Sequence, residues 1–276
     1  MELKEKVGFM QGRLSPIIDG KIQCFPKQFW KNEFAIAQAC GFKLMEWTLD
    51  IDGLYQNPLL ESKEKVREIS SENNIKISSI TGDCFMQDPF YKGVYRQEKI
   101  DCLKTVISAA SEINIEKLLI PLVDNGKVEN IDQEKTIIDT LLSLHNFLKL
   151  KRVKITFESD LGPSKLAHFI DKLPADSFGI TYDIGNSASL GYSPSEEIQA
   201  YGHRICHVHI KDRLKGGETV PLGQGNADFC QVFKCLKNIN YQSDFILQTA
   251  RATNNNHKEV LCDYRDYVLN FFDNIH

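Results

Sequence analysis

The feature that most limits how this chain can fold is a rhythm. Eight short apolar runs, rich in β-branched residues, alternate with longer stretches whose apolar positions recur at helical spacing. The runs are residues 6–11, 43–48, 75–82, 116–123, 153–159, 178–185, 204–211 and 244–250. The clearest helices are expected over 28–40, closed by Gly41, and over 58–72, 93–113, 132–150 and 258–272. No low-complexity linker separates any pair. Eight β-then-α units in 276 residues are what an α/β chain needs to close a single (β/α)₈ TIM barrel, so residues 1–276 are read as one TIM-barrel domain. A doubly wound sheet is the competing architecture, but no G-x-G-x-x-G follows the first run and no G-x-x-x-x-G-K-[ST] occurs.

Composition narrows the function classes. Hydrophobic residues make up 42% of the chain, enough for a large core. The 33 Lys and Arg against 37 Asp and Glu give a net charge of −4 without a basic tract, which argues against a dedicated nucleic-acid binder and favours a small or phosphorylated ligand held locally. The eight cysteines form no C-x-x-C and lie mostly in apolar runs, as reduced thiols do in a reducing compartment. The first residues, MELKEKVGFMQGR, lack an apolar leader and no window approaches 18 apolar residues, so the reading is a cytoplasmic protein with no membrane partner.

In a barrel, the active site is built where strands end and βα loops begin. The polar residues there are Gln11 and Arg13, Glu46, Asp83, Asp124, Glu158, Asp183 with Asn186, His209 with Lys211 and Asp212, and Gln248 with Arg251. Four of them, Glu158, Asp183, His209 and Gln248, come from the fifth to eighth strands, which are neighbours on the rim. Two carboxylates, an imidazole and an amide oxygen suit one divalent cation with positions left open for a ligand; the mixed N/O set fits Mn, Zn, Co or Mg alike. His207, two residues before His209, shares its inward face one layer deeper and is read as a core or supporting residue.

The segments MEWTLD (45–50), TYDIGNSASLGY (181–192), HVHIKD (207–212) and PLGQGNADF (221–229) resemble the xylose-isomerase-like barrel superfamily along essentially the whole chain. The likeness is greatest to its sugar-phosphate isomerases and epimerases, the L-ribulose-5-phosphate 3-epimerases above all, and looser to D-tagatose 3-epimerases and hydroxypyruvate isomerase. The resemblance implies a metal held by Glu158, Asp183, His209 and the residue at 248, a sugar or sugar-phosphate substrate, and proton transfer through an enediolate. Members often pair through surface helices, but no helix here stands out as a homo-oligomer contact.

One position departs from the pattern. Where the family carries a second glutamate, this chain has Gln248. An amide neither takes nor releases a proton near neutral pH, so Gln248 can coordinate or orient but cannot be the second base. Three outcomes stay open. Glu158 alone can serve one face, in an isomerisation or in a syn elimination by a dehydratase acting on a polyol or cyclic keto acid. Glu46, Asp83 or Asp212 can reach the other face and keep epimerisation. Failing both, the barrel is a non-catalytic sugar binder. Among the remaining polar groups, Glu46, Asn186, Lys211, Arg213 and Arg13 are candidates for substrate binding, and Lys211, Arg213 and the backbone N–H groups of 223–225 for holding a phosphate. The superfamily's trinuclear zinc endonucleases are excluded, because His145, His168, His203, His257 and His276 lie on helices, loops or the terminus.

Overall fold

The structure, a computed structural model, describes residues 3–94 and 96–274. In chain order its strands are β1 (Val7–Met10), β2 (Leu44–Thr48), β3 (Lys76–Thr81), β4 (Lys117–Leu122), β5 (Lys154–Ser159), β6 (Phe178–Asp183), β7 (Ile205–Ile210), a two-stranded ribbon of β8 (Asp212–Arg213) and β9 (Thr219–Val220), and β10 (Phe245–Leu247). Eight of them close a parallel barrel in the order β1-β10-β7-β6-β5-β4-β3-β2, with helices in the connections. Consecutive barrel strands pair side by side, so the expected (β/α)₈ architecture is present.

Outward-facing strand residues bury against the helices. Trp47 of β2 sits among Phe25, Trp30 and Phe34 at centroid distances of 5.4, 5.6 and 6.4 Å. Phe157 of β5 packs edge-on to Phe169 at 5.4 Å, and Phe245 of β10 packs against Phe233 and Phe272. Such aromatic clusters bury large area with defined geometry. Closeness of strands also needs small residues: a Cβ on Gly8 would stand 2.7 Å from Leu44 Cβ and 2.9 Å from Ile246 Cδ1, on the two strands flanking β1.

Polar pairs sit among the buried strand residues. Thr181 donates to Thr156 at 2.7 Å, and Ser79 donates to Glu46 at 2.7 Å. Several elements differ from the sequence expectation. The helix expected over 58–72 is two pieces, Pro58–Glu61 and Lys63–Glu72, because Ser62 leaves helical geometry at φ −148°. The helix expected from 93 begins at Arg96, since Gly93 is left-handed at φ 70°. β10 is shorter than 244–250: beyond Leu247 the backbone turns to the rim, where Thr249 O accepts from Arg13 Nε at 3.0 Å. Among the described residues, no helix is long and apolar enough to cross a membrane.

Candidate active site at the C-terminal mouth of the barrel

Period-two alternation along β7 turns His207 and His209 inward, and both are fully buried. Asp183 ends β6 and caps the helix Ile184–Leu190, accepting the Asn186 N–H on Oδ1 at 2.7 Å. Its Oδ2 is thereby left facing His209 Nδ1 at 3.8 Å. Glu158, near the end of β5, places Oε2 3.2 Å from the same Nδ1, and its Oε1 accepts from Asn186 Nδ2 at 2.5 Å. The ligand atoms of Glu158, Asp183 and His209 all lie within 4.8 Å of one another.

His209 Nε2 meets Glu46 Oε1 at 2.8 Å. A carboxylate on Nε2 favours the proton there and leaves the Nδ1 lone pair directed at the two acids, the arrangement that orients a metal-binding histidine. Burial opposes charge on His209, but Glu46, with Asp183 and Glu158, overrides it and lifts the imidazole well above its usual pKa. Burial likewise opposes ionisation of Asp183, yet Lys211 and His209 hold it well below the usual carboxylate range. The cluster therefore demands positive charge at its centre. The donor set fits a divalent cation, and a buried polar atom supports the fit: Gln248 Oε1 has no hydrogen-bond partner among the described residues.

Glu46 does not face the substrate space as expected. It is fully buried in the barrel lumen, with Oε2 2.6 Å from His207 Nε2 and also accepting from Ser79. β2 and β7 are not neighbours in the barrel, so these contacts cross the lumen. Despite its burial, Glu46 is held well below the usual carboxylate range by His209 and His207. His207 is the opposite case, pushed down by burial. This buried trio supports His209 from beneath.

The phosphate cradle expected at 223–225 is also replaced by something else. Asp212 accepts from Gly223 N and Gly225 N at 2.9 Å each and from Ala227 N at 3.1 Å, and Gln224 N bonds Pro221 O at 3.0 Å. That loop is closed on its own aspartate and has no N–H left for an anion. Lys211 does not pair with Asp212 either. Its Nζ lies 2.8 Å from Asp183 Oδ2, brought there past Gly185, where a Cβ would stand 2.7 Å from Lys211 Cγ. Asn186 joins the group from both ends of its amide, because its Oδ1 accepts from Arg213 Nη1 at 2.8 Å and Lys211 Nζ at 3.3 Å. Arg213, carried on β8, also donates to Gly217 O, and it faces the cavity.

Arg13 is buried rather than exposed to a ligand. It donates to Thr249 O and Ile22 O at 3.0 Å each and reaches Gln23 Oε1 at 3.4 Å, tying the loop after β1 to the end of β10. Burial, with Arg251 nearby, lowers its guanidinium to about 9. The same loop is anchored by Glu33, which accepts from Gly12 N and Leu14 N.

A residue that strand-end reasoning missed completes the mouth. Gln23 stands in the long loop after β1, and its Nε2 donates to Asp83 Oδ2 at 2.6 Å while its Oε1 accepts from Gln248 Nε2 at 3.0 Å. It lies twelve residues past Gln11, beyond the reach of any rule based on strand ends. Gln23, Asp83, Glu158, Asn186, Lys211, Arg213 and Gln248 line one cavity of about 420 Å³, a volume suited to a small polar molecule.

A family model described as a xylose isomerase-like TIM barrel matches residues 34–261. The chain is 22% identical over 257 residues to an L-ribulose-5-phosphate 3-epimerase of Salmonella paratyphi A, covering 87% of this chain and 88% of the relative. It is 25% identical over 152 residues to an inosose dehydratase of Clostridium perfringens, covering 46% and 51%. Among solved structures, the IOLI protein with a bound zinc atom superposes with a TM-score of 0.74 over 97% of this chain and 99% of that one, at 17% identity, a likeness of fold.

Proposed function

Because this chain belongs to the xylose isomerase-like TIM barrel family, we propose that it is a metal-dependent isomerase or epimerase of a sugar or sugar phosphate, with Glu158 as base. Relatives named as sugar-phosphate epimerases support an isomerase/epimerase-like enzyme. The observation that carries the reading is the convergence of Glu158, Asp183 and His209 Nδ1, with Glu158 also lining the cavity that Gln248 lines. Glu158, Asp183 and His209, with Gln248 Oε1 as a fourth donor, would hold a divalent cation (Mn, Zn, Co or Mg), which would supply Lewis-acid polarisation of a ketose carbonyl and the adjacent hydroxyl.

The chain's own residues do the rest. Glu158, braced by Asn186 on Oε1, removes a proton from the carbon beside the carbonyl. Asn186 couples that base to Lys211 and Arg213, which bind the negatively charged end of the substrate. The pocket's size and polarity fit a free small molecule, and a cytoplasmic setting fits a phosphorylated one.

The test is hydrogen exchange in deuterated water, with L-ribulose 5-phosphate and the free ketoses as probes. Manganese-loaded protein should wash deuterium into the substrate carbon, and Glu158→Gln should slow this by about 10²-fold or more while melting as the wild type does. Unchanged exchange removes Glu158 from the chemistry. A dehydratase is the second reading, favoured by the amide at 248 and by the inosose dehydratase relatives; it would announce itself as an enone absorbance. Sugar binding with neither signal would mark a binding barrel.

A further inference from the structure

The amide at 248 leaves one face of a bound ketose without a carboxylate; Asp124 and Asp160 line the cavity but follow β4 and β5, on the side of Glu158, which leaves Glu46, Asp83 and Asp212 as the candidates to serve it. Two are disqualified by their partners. Both oxygens of Glu46 are engaged by His207, His209 and Ser79 in the lumen, and both oxygens of Asp212 close the loop over 223–227.

Asp83 is different. It is 5% exposed, and it lines the cavity. Its Oδ2 is held by Gln23, while its Oδ1 has, among the described residues, only Thr81 Oγ1 at 3.4 Å. The barrel order shows which wall it belongs to. β3, which delivers Asp83, is diametrically across from β7, which delivers His209 and Lys211. β1, whose loop delivers Gln23, is diametrically across from β5, which delivers Glu158. Gln23 clasps both Asp83 and Gln248, so all three share the wall facing the charged cluster.

We propose that Asp83 is the proton-transfer partner of Glu158, serving the substrate face that the amide at position 248 cannot serve. This inference rests on the isomerase and epimerase reading above. In the forward direction, Glu158 takes the proton as the C–H bond breaks, and the electron pair moves into the enediolate. The protonated Asp83 carboxyl then gives its proton to the opposite face, forming the new C–H bond as the O–H bond breaks. Glu158 ends protonated and Asp83 ionised, and exchange with water after product release resets both. The reverse direction swaps the roles. Burial supports the assignment by raising Asp83 to about 7, so that both of its forms are accessible near neutral pH.

The experiment uses the full manganese-loaded chain with L-ribulose 5-phosphate in deuterated water, reading wash-in and inversion separately by NMR. Asp83→Asn should retain wash-in within about threefold, lose inversion by about 10²-fold or more, and bind the probe unchanged in calorimetry. Adding Gln248→Glu to that variant should restore inversion at least tenfold, because a carboxylate returns to the same wall. Should Asp83→Asn fold poorly, Asp83→Glu is the substitute, and it must lower inversion relative to wash-in. Inversion by Asp83→Asn at the wild-type rate overturns the proposal, as does joint loss of wash-in and inversion, which would make Asp83 a structural support. A wild type that shows neither signal with any ketose sinks the isomerase reading itself, and this inference with it.

Discussion

The two walls of the barrel mouth are built on opposite electrostatic plans. The wall from β5 to β7 concentrates Glu158, Asp183, His209, Lys211 and Arg213, joined through Asn186 into one charged network. The wall from β10, β1 and β3 is a chain of two amides and one carboxyl, in which Gln248 donates to Gln23 and Gln23 donates to Asp83, whose proton burial favours. The first wall attracts a cation and holds Asp183 ionised. The second is neutral and can hand over a proton. A metal site next to a protonated acid needs this asymmetry, because two fully ionised carboxylate walls around one small cavity would raise each other's pKa.

The contrast breaks most readily at Asp183. Asp183→Asn should weaken metal binding more than about 10²-fold, read by dialysis and atomic emission, whereas Gln248→Ala should weaken it by less than about tenfold, since a neutral donor contributes no charge. Equal losses would erase the distinction between the walls.

Glu46 tests the support beneath the charged wall. A glutamine there offers one oxygen and one amide nitrogen to two histidine N–H groups, so one ring must turn its proton away. Glu46→Gln should cost about 10- to 100-fold in metal affinity, although Glu46 is fully buried beneath the site. Wild-type affinity would show that the orientation of His209 does not depend on Glu46.

The neutral wall makes a prediction about pH. Desolvation, with Asp50, Glu158 and Glu46 nearby, raises Asp83 from 3.8 to about 7 against the opposing hydrogen bond from Gln23. Its folded form prefers the proton, so the stability it contributes is full below the unfolded pKa and is lost as the pH rises through 7. Asp83→Asn, whose amide oxygen can still accept from Gln23, should therefore gain on the wild type as pH rises from 5 to 8, by on the order of 2 kcal/mol. A pH-independent difference in melting would contradict it.

The smallest effect belongs to the clasp itself. Gln23→Ala removes one hydrogen bond to Asp83, one from Gln248 and a long one from Arg13, and should cost about 1 kcal/mol of stability in denaturant titration. In the exchange assay the same variant should affect inversion more than wash-in, because it loosens only the neutral wall.

Much of this was legible before any coordinates. The alternation of apolar runs and helical stretches specified the barrel, and period-two spacing placed His207 and His209 on one inward face. The strand-end rule brought together Glu158, Asp183 and His209, whose atoms converge. The same rule could not distinguish Glu46 from Asp83. Both are acidic and near strand ends, yet Glu46 lies within β2 and is buried in the lumen while Asp83 lies two residues past β3 and lines the cavity, a difference of depth that depends on register around the closed ring. Nor could it foresee that Asp212 would turn onto its own glycine loop, or that Arg13 would tie two loops together.

What the sequence determined by itself is periodicity, and periodicity carries element type and facing because those are set within a few residues by backbone geometry. Tertiary closure alone decided which polar groups share a space. It set β1 beside β10 and β7 across from β3, and so brought Gln23 to Asp83, 60 residues away in the chain, and to Gln248, 225 residues away. Contacts of that range leave no local pattern in the chain, since each partner's sequence neighbours answer only to their own strand or loop.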